Sequence, residues 1–328
     1  MGIRDPDQAP HIMDASSLHT PVMLERCLEL LAPAASRDGA VVADATLGMG
    51  GHAEQLLERH PGMTLVGIDR DPDAIRLAGE RLARFGDRVR IVRHVYDELE
   101  ESLADAGVDR LDGILFDLGV SSLQLDDADR GFAYAKDAPL DMRMGQEGPT
   151  AADLLATLDE RELARIMQRY GDERLAGRYA KAIVRERQQE PIVMSSRLVD
   201  ILDRATPAAA RKPGHVAKRV FQALRIVVND ELGVLERAIP AALDALEPGG
   251  RIVVMAYQSL EDRIVKSALR EATTDRTPLG VPAALPEHAA PYRLLLRGAE
   301  LADDDERARN PRSIPVRLRA AERIEGAA

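Results

Sequence analysis

The chain has 328 residues, 45% of them hydrophobic, with one cysteine and a formal net charge of −11 at pH 7. That length and apolar share support a sizeable core and two domains rather than one, while the lone Cys27 excludes an internal disulfide and a cysteine metal cluster. The polar start (MGIRDPDQAP) lacks the apolar core of a signal peptide and no apolar run is long enough to span a bilayer, so a cytoplasmic protein with a disordered tail over residues 1–18 and no membrane partner is expected.

Val41–Ala45 reads as a short apolar strand, broken by Gly48, Gly50 and Gly51 before a helix that starts over Ala53–Arg59. Thr64–Ile68 is a second buried strand, ending in Asp69. Asp71-Pro72 then caps a helix that runs to about Phe85, with proline tolerated in the first turn. Arg88–Val92 alternates like a third strand and Gly113–Phe116 is the fourth. Strand and helix alternating at this spacing predict an α/β fold with a parallel, doubly wound sheet. After the fourth strand the chain does not return promptly to helix. It enters a long polar loop (DLGVSSLQLDDADRGFAYAKDAPLDMRM), as at sites that sit outside the carboxyl ends of parallel strands.

From Thr150 to about Ala245 the pattern is helix upon helix. Thr150 and Asp153 form a capping box ahead of Leu154, Leu155 and Leu158. Leu163, Ile166, Met167 and Tyr170 continue at helical spacing. Arg174–Arg187, Ser196–Arg204 and a broken Val216–Ala245 follow. Gly249-Gly250 turns into another buried strand, Ile252–Ala256, so the sheet resumes. Residues 275–306, rich in proline and then in acid, read as a long loop. The economical organisation is a sheet domain made of residues 19–130 and 246–328, with an all-helical domain, residues 131–245, inserted into it.

The negative charge alone argues against nucleic acid, because phosphate contacts need Lys and Arg. The charge is segregated, however. Acids concentrate in Asp97–Asp112, Asp126–Asp129 and Glu300–Glu306, and bases in Arg178–Arg187, Arg211–Arg225 and Arg307–Arg323, which leaves room for a basic face. Arg211, Lys212, His215, Lys218 and Arg219 form the best phosphate-contact patch, with a plain solvated helix face as the alternative. Aromatic residues are only 3% and tryptophan is absent, so a broad base-stacking platform is not expected. The histidines are scattered, with no two at ligand spacing on one helix, so no metal site is expected.

Asp44, Gly48, Gly50 and Gly51 make a strand-to-helix turn of the type D-x-x-x-G-x-G-G. Glycines admit a ligand close to the backbone and the helix start supplies free N–H donors. Asp69, at the tip of the second strand, is placed to accept from both hydroxyls of a ribose. Two cofactor classes compete, because GMGGHA also satisfies the dinucleotide fingerprint G-x-G-x-x-A. Asp44 separates them: a pyrophosphate is repelled by a carboxylate ahead of the glycine turn, whereas the ammonium and sulfonium of S-adenosylmethionine are attracted. Asp97 and Asp117 at other strand ends deepen the preference for a cation. Taken singly, Asp44 and Asp117 could as well cap turns, and His52 could as well face solvent at a helix start.

These residues resemble the bacterial 16S rRNA (cytosine-N(4))-methyltransferase H family (RsmH/MraW), from His19 to about Arg323. The landmarks are HTPVML (His19–Leu24), DATLGMGGH (Asp44–His52), GIDRDPDAI (Gly67–Ile75), DLGVSSLQLD (Asp117–Asp126), RGFAY with PLDMRM (Arg130–Met144), FQALRIVVNDEL (Phe221–Leu232), SLEDRIVK (Ser259–Lys266) and NPRS with LRAAER (Asn310–Arg323). The resemblance implies a class I methyltransferase, Rossmann-like sheet with an inserted helical domain. It implies that Gly50, Gly51 and His52 hold the methionine end of S-adenosylmethionine, that Asp69 takes the ribose, that Tyr96 lies against the adenine, and that Asp117 and Gln124 complete the pocket. It implies methylation of one cytidine amine in the decoding centre of 16S rRNA, within the small ribosomal subunit. SSLQ, Tyr257-Gln258, GHVAKRVFQ and NPRSIPVRLR depart from the family's usual segments, so the cofactor half matches more closely than the RNA-facing half.

A cytosine amine is a poor nucleophile that must be oriented toward the methyl group and hydrogen-bonded to an acceptor. Asp117 is the first candidate for that acceptor. Asp141 is the second, its plainer reading being a salt bridge to Arg143 or Arg130. The target base must leave its stack. Phe132 and Tyr134 are the nearest aromatics, with Phe132 read rather as core beneath the loop. Ser259 and Asp262 are read as the capping box of the last helix. Two rivals remain: a nicotinamide-dependent oxidoreductase using GMGGHA, and a non-catalytic RNA-binding assembly factor. Monomer and dimer both stay open.

Overall fold

A computed structural model describes residues 21–121, 123–124, 130–132, 137–210, 215–278 and 288–324. Seven strands form one sheet in the order β3-β2-β1-β4-β5-β7-β6. The strands are β1 Val41–Asp44, β2 Thr64–Asp69, β3 Val89–Arg93, β4 Leu111–Asp117, β5 Leu246–Ala256, β6 Tyr292–Leu294 and β7 Arg317–Arg323. The first five are parallel. β7 runs antiparallel to β5, and β6 antiparallel to β7. The apolar runs of β1, β2 and β4 are buried on both faces, as a parallel sheet covered on both sides requires.

One face of the sheet is covered by α1 (Leu24–Ala35), α2 (Gly51–Arg59) and α3 (Pro72–Leu82), whose Leu28, Leu31, Leu56 and Leu82 pack with Leu65, Leu115 and Val253. The other face is covered by α4 (Leu99–Ala106) and two later helices described below. α3 begins as read: Asp71 caps it by accepting from the N–H of Asp73, and Pro72 follows. α1 was not anticipated, and neither was the pairing of β7 with β5.

Between β4 and β5 lie α5 (Ala151–Thr157), α6 (Glu160–Gly171), α7 (Ala176–Arg187), α8 (Ser195–Ala205), α9 (His215–Val228) and α10 (Glu231–Ala245). The capping box of Thr150 and Asp153 starts α5, and Asp159 with Glu162 makes another for α6. α5 to α9 share one core with Leu140 and Met142, in which Tyr179 is fully buried and bonded to Thr206 Oγ1 at 2.9 Å. α10 stands apart from that core. Its Leu235, Ala238, Ile239, Ala242 and Leu243 pack with Ile114, Phe116, Ile252 and Val254 of the sheet. The sequence-based boundary at residue 245 therefore groups α10 with the wrong neighbours. The break comes at Asp230, whose left-handed φ of 48° turns the chain between α9 and α10.

Three further readings are corrected. Residues 275–306 are not all loop, since β6 and α12 (Asp304–Arg309) fall within or across that stretch. α11 (Ser259–Ala272), the last helix on the second face, is boxed by Gln258 and Glu261 rather than by Ser259 and Asp262. Asp262 instead receives Arg319 at 2.8 Å. Part of the basic strip Arg307–Arg323 is likewise spent internally: Arg319 pairs with Asp262, and Arg323 donates to the Leu246 carbonyl.

Candidate functional site

The strand order reverses beside β1, between β2 on one side and β4 on the other, which opens a crevice at the carboxyl ends of the strands. Three acids stand there: Asp44 ends β1, Asp69 ends β2 and Asp117 ends β4. The turn after β1 is built by glycine. Gly48 and Gly50 have φ of 51° and 76°, which other residues rarely adopt. Gly51 is bare because a side chain there would press within 2.7 Å of Pro21.

The turn and the acids are bonded to one another. Oδ2 of Asp69 accepts from Gly48 N at 2.8 Å and Oδ1 from Asp71 N at 2.9 Å. Oδ1 of Asp44 accepts from Thr46 N at 3.2 Å. Thr46 Oγ1 accepts in turn from Asp117 N at 2.7 Å. Asp117 Oδ1 accepts from the Tyr257 hydroxyl at 2.7 Å, and Oδ2 faces His52 Nδ1 at 3.9 Å. His52 is 6% exposed, which removes the solvent-facing reading, and its Nε2 lies 3.1 Å from the Val22 carbonyl.

Burial governs the charges in this crevice. It pushes Asp44 up to about 7, helped by the charges of Asp117 and Asp69 and opposed by the Thr46 N–H. It also raises Asp69, against the N–H donors of Asp71 and Gly48. Asp117 is raised by burial and held back by His52 and the Tyr257 hydroxyl. Burial lowers His52, with Asp117 opposing. A cluster of carboxylates this reluctant to ionise is one that a bound cation would relieve and a pyrophosphate would aggravate. Its fit is therefore to a ligand carrying positive charge, with bare glycine backbone beside it.

The other expected residues lie differently. Tyr96 packs edge-on against Phe116, ring centres 5.7 Å apart, just past β3. Gln124 is buried and donates to Asp71 Oδ2 at 3.2 Å. Asp97 leaves the group of strand-end acids, because it pairs with Arg237 of α10 at 2.8 Å. Asp141 takes the plainer role: Arg143 grips both its oxygens, at 2.8 and 2.7 Å, and holds it below the usual carboxylate range. Phe132 is buried, in keeping with the core reading, and Tyr134 lies outside the described residues.

In the basic patch, Arg211 and Lys212 lie outside the described residues, as does the side chain of His215. Lys218 is exposed on α9, whereas Arg219 donates to the Asp172 carbonyl at 3.2 Å. Among the described residues no group of His, Cys, Asp or Glu could hold a metal, and no helix is long and apolar enough to cross a membrane.

Four residues escaped the sequence. Thr46 and Tyr257 both fasten Asp117. Asp71 does more than cap α3: it is fully buried and receives Gln124 and Arg130, whose Nη2 donates at 3.0 Å. Glu261 is 3% exposed and is pushed up to about 7, by burial first and by Glu231 next. Asp71 had a local signal in the helix cap, and Glu261 had one three residues after Gln258, whereas Thr46 and Tyr257 reach Asp117 across long sequence distances.

The MraW methylase family matches residues 16–324. A "Ribosomal RNA small subunit methyltransferase H" of Leifsonia xyli subsp. xyli is 63% identical over 93% of this chain and 94% of its own. The protein of the same name from Saccharopolyspora erythraea is 62% identical over 95% of this chain and 96% of its own. A solved rRNA methylase from Streptococcus thermophilus aligns over 94% of this chain and 100% of its own at 12% identity, with a TM-score of 0.43, too distant to bear on function.

Proposed function

The chain belongs to the MraW methylase family, and from that premise we propose that it transfers a methyl group from S-adenosylmethionine to the exocyclic N(4) amine of one cytidine in the decoding centre of 16S rRNA. The observation that carries the reading is the convergence of Asp44, Asp69 and Asp117 on a single glycine turn at the strand ends. Its substrate is the RNA of the small ribosomal subunit, met in the cytoplasm. The relatives' names give no support to the oxidoreductase or to a non-catalytic assembly factor.

When bound, S-adenosylmethionine supplies a methyl group made electrophilic by its sulfonium. Gly50, Gly51 and His52 are the residues proposed to hold its methionine end, Asp69 its ribose, Tyr96 its adenine, with Asp44, Asp117 and Gln124 around it. Asp44 and Asp117 provide the negative field that favours a cation there. Asp117 is the proposed acceptor for a hydrogen of the cytosine amine, which orients the nitrogen lone pair; no strong base is needed, because the proton can leave after attack. Asp141, tied to Arg143, serves instead to fix the loop beside the crevice. Lys218 and Arg219, with the rest of that segment, are the proposed phosphate contacts.

The test is equilibrium binding of S-adenosylmethionine against NADH, followed by methyl transfer to unmodified small subunits and mass spectrometry of the rRNA. Binding of NADH alone, or transfer to no cytidine, would sink the reading.

A further inference from the structure

The hydrogen bonding around Asp117 is lopsided. Its backbone N–H is spent on Thr46 Oγ1, and its Oδ1 is occupied by the Tyr257 hydroxyl at 2.7 Å. Among the described residues, Oδ2 accepts no hydrogen bond, and His52 Nδ1 faces it at 3.9 Å, beyond hydrogen-bond reach. The tautomer of His52 follows from its other nitrogen. A carbonyl can only accept, so Nε2, 3.1 Å from Val22 O, must carry the proton. In the neutral ring Nδ1 is then a bare lone pair. Two acceptors, Asp117 Oδ2 and His52 Nδ1, therefore face one gap with no donor between them.

We infer that Tyr257 is a positioning residue: by occupying Oδ1 it dedicates Oδ2 of Asp117, together with Nδ1 of His52, to an incoming N–H donor with more than one hydrogen. The inference deepens the proposed function and rests on it for the identity of that donor, either the ammonium of S-adenosylmethionine or the exocyclic amine of the base. The ring of Tyr257 lies beside Gly119, where a Cβ would make ordinary contact with the ring edge at 3.6 Å. Gly119 itself turns with φ of 99°.

The charged and titratable groups facing Asp117 come from four elements: Cys27 of α1, Asp44 of β1, His52 of α2, and Tyr257 after β5. Of these, the Tyr257 hydroxyl favours its ionised form by donating to it, whereas His52 does so only when its ring is protonated. Removing the phenol hydroxyl withdraws one donor from a carboxylate, so the acid becomes harder to ionise.

The test is Tyr257→Phe in the full chain, which keeps the ring. The Asp117 carboxyl resonance is followed against pH by carbon NMR in the free protein. Its midpoint is expected to move up by roughly one pH unit. An unchanged midpoint overturns the inference whatever the protein methylates. Two further measurements name the donor. An upward shift in the acid limb of S-adenosylmethionine affinity assigns the ammonium. An unchanged affinity with the same shift in the acid limb of kcat on small subunits assigns the base amine. A uniform loss of activity at every pH, with neither limb moved, marks a merely structural tyrosine and likewise overturns it. Asp117→Asn serves as the control background, in which adding Tyr257→Phe is expected to change neither limb.

Discussion

Gly48 donates its backbone N–H to Oδ2 of Asp69 at 2.8 Å, which fastens the glycine turn after β1 to the tip of β2. Asp69 therefore has two tasks, since the oxygens proposed to meet a ribose also hold the turn. Asp69→Ala is expected to lower S-adenosylmethionine affinity at least tenfold and also to cost about 2 kcal/mol of stability, because it strands the N–H groups of Gly48 and Asp71. Calorimetry and urea unfolding check the two effects. Asp69→Asn, which retains one acceptor oxygen, should lose less stability than Asp69→Ala.

Cofactor affinity should depend on pH through Asp44. Its folded value of about 7 stands above its ordinary 3.8, so the folded chain holds the extra proton between those values. Stability from this group is accordingly highest below that window and falls as pH rises through it. A cationic ligand reverses the preference by favouring the carboxylate. S-adenosylmethionine should thus bind more tightly as pH rises from 6 to 8 and should release protons on binding, which titration in buffers of different ionisation enthalpy would read. Asp44→Asn should flatten most of the profile. The apparent midpoint belongs to the cluster with Asp69 and Asp117 rather than to Asp44 alone.

The loop beside the crevice should depend on Asn229. This buried amide donates to the Met142 carbonyl at 2.7 Å and accepts from Met144 N at 2.8 Å, so it clamps the loop to the end of α9. Asn229→Ala leaves buried backbone groups without partners and should cost roughly 2–3 kcal/mol in chemical unfolding. Activity should fall further than S-adenosylmethionine affinity, since the loop is disturbed while the glycine turn is untouched.

RNA contact should separate from cofactor binding. Lys218 is exposed on α9, a helix whose buried face belongs to the core of the helical unit. Lys218→Glu should leave S-adenosylmethionine affinity within twofold of the wild type. RNA affinity should weaken and the salt slope of binding should drop by about one. Arg219→Glu is a less clean variant, because Arg219 also holds the Asp172 carbonyl. Equal loss of cofactor affinity in Lys218→Glu and Asp69→Ala would overturn this division of labour.

Much of the fold could be read along the chain because its signals are local. Apolar runs mark β1, β2 and β4, the Asp71-Pro72 cap starts α3, and the Thr150 and Asp153 box starts α5. The carboxylates at three strand ends were equally legible, since a parallel strand must deliver its last residue to the crevice. What tertiary structure alone decided is which partner each side chain meets. Register and packing turn Asp97 away to Arg237, fold β7 back along β5, and seat α10 on the sheet. They also bring Tyr257 to Asp117 across 140 residues of sequence. A hydrogen bond depends on separation in space, and periodicity carries no record of a neighbour so far along the chain.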